Sequence, residues 1–108
     1  MIKIANAFSI NMINQFPCTV HFQEINKESA IELIQSNNSE IDSYIGHEDT
    51  AFVLSDELNI SIPVKRQSLL LRKNEQMLVA QLIGGRLPEG TTKLPDNFKF
   101  KYFLVKIL

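Results

Sequence analysis

Two hydrophobic periods run through the chain. A short β-like segment, Ile2–Ala5, opens it. In "SINMINQF", Ser9 can cap a short helix that Pro17 stops. "CTVHFQEI" alternates with period two: Val20 and Phe22 face one way, His21 and Gln23 the other, the pattern of a half-buried strand. "KESAIELIQ" changes to the helical period, with Asn26 as its cap and Ala30, Leu33 and Ile34 as its apolar stripe. "SNNSE" has loop composition, and "IDSYIG" is a brief extended segment ending at Gly46.

"HEDTAFVLSDEL" reads as a second helix. Ala51, Leu54 and Leu58 share its apolar face, and Glu48 and Asp49 place negative charge where the helix dipole favours it. From Pro63 the pattern gives an extended run, "VKRQSLLL", a hairpin-like turn, "RKNEQ", and a strong strand, "MLVAQLI". Fourteen residues without periodicity follow, "GGRLPEGTTKLPDN", before the β-rich close "FKFKYFLVKIL". Interleaved strands and helices followed by a β-meander predict an α/β fold: one compact domain over residues 1–108, a mixed sheet flanked by helices.

Composition adds bounds. At 108 residues, 44% hydrophobic and 21% charged, the chain suits one domain with a modest core. Eleven basic against twelve acidic residues leave a net charge of −1, so no long nucleic acid is expected to be held by its backbone. Any anion site must be local. The single cysteine, Cys18, cannot form an internal disulfide or a zinc framework and is read as a buried structural thiol. No signal peptide and no bilayer-spanning run is present, so a soluble cytoplasmic protein that does not engage a membrane is expected.

Candidate chemistry gathers in two places. The fourteen-residue stretch is long for a small domain, and long irregular loops are often lids. Gly84, Gly85 and Gly90 supply hinges around Arg86 and Glu89. An arginine fork can hold two phosphate oxygens, and a glutamate can orient a proton carrier. From the loop alone, a surface Arg86–Glu89 ion pair is the simpler reading.

His47 is the second place. It stands at a helix start, where free backbone N–H groups attract anions, so it is a phosphate neighbour or a helix-end residue with no chemical role. His21 reads as solvated. No second histidine is spaced to complete a metal site with Glu48 and Asp49. Asn6 and Ser9 sit at a strand-to-helix junction. Gln81 interrupts the Met77 and Val79 face of a strand, and Arg66 interrupts another. Phosphate-loop, dinucleotide and serine-hydrolase motifs are absent.

"NAFSINM", "SYIGHEDTA", Arg66 and "VAQLIGGRLPEGTTKLP", in this order and at these distances, resemble the family of viral type III anti-CRISPR ring nucleases. Within it, the chain is similar to the YddF-like small proteins of bacterial mobile elements. The resemblance implies a homodimer with a mixed sheet flanked by helices. It further implies a metal-independent enzyme without cofactor that cuts cyclic tetra-adenylate, the messenger of type III CRISPR signalling, beneath a mobile loop. By resemblance, His47 is the catalytic histidine, Glu89 a supporting glutamate and Arg86 a ligand contact. Asn6, Ser9, Asn11, Thr50, Arg66 and Gln81 line or shape the pocket. Asp49 departs from the pattern, because viral relatives carry a small neutral residue there. Its carboxylate would repel ligand phosphates unless it points away.

Two other functions suit the same residues: a non-catalytic binder of cyclic oligonucleotides, and a mobile-element regulator that binds protein or DNA. The charge balance weighs against DNA. A paired His47 and Glu89 favour the enzyme, since binding alone needs no proton donor.

Overall fold

A computed structural model describes all 108 residues. Five strands and two α-helices alternate: β1 (Ile2–Ala5), β2 (Val20–Ile25), α1 (Lys27–Ser36), β3 (Ile41–Ser43), α2 (Glu48–Leu58), β4 (Gln76–Ile83) and β5 (Lys99–Ile107). The strands form one sheet in the order β2-β5-β4-β1-β3. β1 runs parallel to β3 and β4, whereas β5 runs antiparallel to β4 and β2. The expected mixed α/β sheet is therefore present.

The chemistry of β4 explains the layering. Met77, Leu78, Val79 and Ala80 are all buried, as expected for a central strand covered on both faces. Leu78 and Ala80 pack with Ile4, with Ala30 and Ile34 of α1, and with Ala51, Val53, Leu54 and Leu58 of α2. Met77 and Val79 pack instead with Ile13, Leu69, Leu71, Val105 and Ile107. Both helices thus pack into the Leu78 cluster, and irregular chain covers the opposite face. Tyr102, buried among the helix-side residues, holds the one buried side-chain polar atom without a hydrogen-bond partner. Burial raises its hydroxyl well above the ordinary tyrosine range, so it stays protonated.

Both helices form where their periodicity places them. The Asn26 side chain caps α1, accepting the Ser29 N–H at 2.8 Å. Ala30 and Ile34 are buried, with Leu33 half-buried beside them. Elsewhere long-range pairing overrides local pattern. "SINMINQF" makes only a 3-10 turn, Ile10–Met12, and ends at Ile13 rather than Pro17. Ile13 is drawn into the second core cluster and bridges Leu71 in parallel.

β2 is an edge strand with little cover, so it is mostly exposed rather than half-buried, and Phe22 is 52% exposed. The Phe22 ring meets Phe8 edge-on, with centroids 5.3 Å apart. "VKRQSLLL" forms no strand; the Lys65 N–H ties it to the Ile45 carbonyl at 2.9 Å, and only its last residue, Leu71, makes an isolated bridge, to Ile13. Arg66 therefore interrupts no strand. "RKNEQ" does turn, with Asn74 at φ 69°, but makes no hairpin, because β4 pairs with β1 and β5 instead. Cys18 is half-buried against the second cluster, not buried, because it lies in the irregular cover near the edge.

The turn before β4 carries the molecule's one salt bridge, Lys3 Nζ to Glu75 Oε2 at 3.0 Å. Glu75 Oε1 also accepts the Arg72 N–H at 2.6 Å. The Lys3 hydrogen bond first, and the Arg72 N–H second, hold the Glu75 carboxyl below its ordinary value of 4.5. A carboxyl lowered by folding stabilises the native state above about pH 4.5 and loses that effect as pH falls through its depressed value. Glu75→Gln is expected to remove this part of the acid dependence. Since the pair is largely solvent-screened, the change in urea-melt stability between pH 7 and pH 3 should be under ~1 kcal/mol.

Candidate functional site

Four separate segments converge at one end of α2. His47 is the N-cap residue of α2, in extended conformation (φ −117°, ψ 127°), and its side chain makes no capping hydrogen bond. It is exposed. The imidazole is thus uncommitted beside a helix N-terminus, where free backbone N–H groups favour an anion. Glu48 and Asp49 occupy the first turn. The helix is fixed to the sheet by Ala51, Val53, Leu54 and Leu58, all buried.

Arg66 arrives from the irregular segment after Pro63. Its Nε donates to the Gly46 carbonyl at 2.9 Å, immediately before His47. A Cβ at position 46 would lie 3.2 Å from Arg66 Cγ. Glycine there lets the arginine lie across the chain, and Arg66 keeps donors on its guanidinium for a ligand. Asn6 enters from the end of β1.

The stretch Gly84–Asn97 supplies the fourth side. Gly84 has φ +128°, and a Cβ there would lie 3.0 Å from the Asn97 carbonyl oxygen, so this position demands glycine. Leu87 is buried in the helix-side core between exposed Arg86 and Glu89. Leu94 is partly buried against the same core. Arg86 and Glu89 do not form the surface ion pair that their spacing suggests; the only salt bridge lies elsewhere. Asp49 Oδ2 instead accepts the Gly90 N–H at 3.2 Å.

Together these segments enclose an open cavity of about 900 Å³. Asn6, His47, Thr50, Arg66, Arg86 and Glu89 line it, with Glu48, Asp49, Leu82, Gly85 and Leu87. Three residues singled out by the sequence do not. Ser9 and Asn11 belong to the 3-10 turn, where the Ser9 hydroxyl accepts the Asn11 N–H at 3.3 Å. Gln81 is exposed and donates to the Leu82 carbonyl at 3.3 Å. Leu87 was not among the candidates, although Leu87 and Leu94, the two leucines of an otherwise polar loop, are themselves the signal of core anchors.

The lining is polar and mixed in charge. Arg66 and Arg86 share the lining with the carboxylates of Glu48, Asp49 and Glu89. Net attraction therefore cannot supply affinity for an anion, and directed hydrogen bonds must. No group of three or more His, Cys, Asp or Glu side chains is gathered to hold a metal ion. No helix is long and apolar enough to cross a membrane.

Residues 2–102 match the STIV B116-like family, nearly the whole chain. The protein belongs to that family. Among its relatives is "Uncharacterized protein 26" of Sulfolobus islandicus filamentous virus (isolate Iceland/Hveragerdi). The two are 29% identical over 90 residues, covering 83% of this chain and 74% of the relative. The fold of this B116-like chain is also that of B116 of Sulfolobus turreted icosahedral virus, with a TM-score of 0.79 at 23% identity over 97% of each chain. Both are small proteins of archaeal viruses, which agrees with the expected mobile-element setting.

Proposed function

We propose that this B116-like protein is a ring nuclease that cleaves cyclic tetra-adenylate to linear products and so antagonises type III CRISPR signalling. One observation carries the reading: His47, Arg66, Arg86 and Glu89, far apart in sequence, line a single cavity with Asn6 and Thr50. A proton donor, two phosphate-binding forks and a loop carboxylate are the groups that such a reaction needs.

The chemistry proceeds without a metal. A ribose 2′-hydroxyl attacks its own 3′-phosphate, since the ring already holds nucleophile and electrophile together. The new 2′-O–P bond forms as the P–O5′ bond breaks. The departing 5′-oxygen takes a proton from the His47 imidazolium, and the hydroxyl proton passes to water, directly or through Glu89. The product ends in a 2′,3′-cyclic phosphate. Arg86 opposes the charge that builds on the phosphate oxygens. Loop residues pressed onto the ligand exclude water.

A homodimer belongs to the same proposal. One chain offers one His47 at an open cavity, and a ring of four identical units has two-fold symmetry. A second copy would present a second His47 to the opposite phosphate and close the cavity from above. Ser9, Asn11 and Gln81, outside the cavity of one chain, would meet ligand only through such an arrangement.

The test is cleavage of labelled cyclic tetra-adenylate in EDTA. Linear oligoadenylate ending in a cyclic phosphate is expected. Tight binding without turnover would replace the enzyme with a sequestering protein. No binding would remove both and leave the family fold serving another purpose.

A further inference from the structure

We propose that Asp49 is a positioning residue, whose carboxylate holds the loop that carries Arg86 and Glu89 in register with His47. The inference rests on the ring-nuclease reading for its catalytic part and on geometry for the rest.

The hydrogen bonds of the loop set up the argument. Residues 84–97 make few of them. The Thr91 N–H and hydroxyl both donate to the Pro88 carbonyl, the N–H at 3.2 Å, and the Phe98 N–H donates to Pro95 at 3.0 Å. These bonds are local. The bond that reaches another element is Gly90 N–H to Asp49 Oδ2, across 41 residues of sequence.

That bond falls at an informative place. Pro88–Thr91 is a tight turn with glycine at positive φ (+81°) in its third position, the pattern of a type II turn. Glu89 and Gly90 are its two central residues. Fixing the Gly90 amide therefore fixes the backbone on which Glu89 stands. The other end of the bond lies two residues after His47, in the same first helical turn. Asp49 thus couples the candidate proton donor to the loop carboxylate through one short path. Leu87 anchors the loop laterally in the core, but its apolar contact carries no direction, whereas a hydrogen bond does.

The carboxylate's repulsion of phosphate is reduced by the same arrangement, because one oxygen already accepts an N–H. Loss of the acceptor and loss of the charge can be separated. Asp49→Ala removes both, whereas Asp49→Asn keeps a carbonyl oxygen for Gly90 and drops the charge.

Two measurements on the purified full-length protein test the inference. The first is activity-independent: hydrogen exchange of the Gly90 amide by NMR should be about tenfold faster in Asp49→Ala and near wild type in Asp49→Asn. The second is single-turnover cleavage of cyclic tetra-adenylate. Asp49→Ala should cleave about tenfold more slowly at saturating ligand, with affinity changed less than about threefold, and Asp49→Asn should restore the rate. Unchanged Gly90 exchange in Asp49→Ala overturns the proposal. So does equal tightening of binding in both variants with no change in rate, which would mark Asp49 as a source of repulsion only. If wild type fails to cleave, the ring-nuclease reading falls, and the exchange measurement alone decides whether Asp49 anchors the loop.

Discussion

Replacing His47 with alanine is expected to slow cleavage of cyclic tetra-adenylate by about 10²–10⁴-fold, the usual worth of a positioned general acid. Fold stability and ligand affinity should barely move. The side chain is exposed, caps nothing and packs in neither core cluster, so its removal opens no cavity in the fold. Histidine is also not among the strong N-cap residues, and alanine forfeits little there. Arg66 and Arg86 remain to hold phosphate in the variant. The expected signature is a drop in the single-turnover rate at saturating ligand with an unchanged dissociation constant. A rate within about threefold of wild type would take the proton-donor role away from His47.

Much of this site was legible before the fold was known, and the reasons are local. "IGHEDTA" marks a helix start through its acidic first turn, and α2 indeed begins at Glu48, with His47 in the N-cap position. "GGRLPEG" marks an irregular loop because three glycines and a proline leave no regular period. Gly84 and Gly90 do take positive φ there. The β4 run "MLVA" reads as a strand from β-branched and apolar content, and it is buried on both faces.

What was not legible depends on pairing over distance. Arg66 looked like a flaw in a strand. It lies in unpaired chain because β4 takes β1 and β5 as partners and leaves residues 63–70 without a ladder. Phe22 looked half-buried because alternation specifies two faces but not whether anything covers either one. Gln81 continues the Met77 and Val79 face, yet the cover ends before it reaches position 81. Asp49 looked like an electrostatic fault. Its hydrogen bond to Gly90 spans 41 residues, which no local pattern reveals.

Leu54→Ala is expected to destabilise the fold by about 2–5 kcal/mol, the range for a buried leucine truncated where neighbours cannot fully collapse. Leu54 is fully buried on α2, among Ile4, Ile34, Ile45, Val53, Leu78 and the other residues of the helix-side cluster. The central strand and the backbone of α2 limit relaxation into the void. The consequence for the site follows from position: α2 presents His47 at its N-cap, and Leu54 is among the contacts that set the helix against the sheet. A loosened helix moves His47, and with it the Asp49 acceptor of the Gly90 N–H, relative to Arg66 and to the loop anchored by Leu87. Urea unfolding should show a lower midpoint with an unchanged slope, the mark of lost stability rather than altered compactness. Under conditions where the variant is still folded, its cleavage rate should also fall, though less than for His47→Ala, because the imidazole is displaced rather than removed. A rate equal to wild type in the folded variant would show that the geometry of the site is set by the loop and Arg66 alone, independently of how α2 is seated.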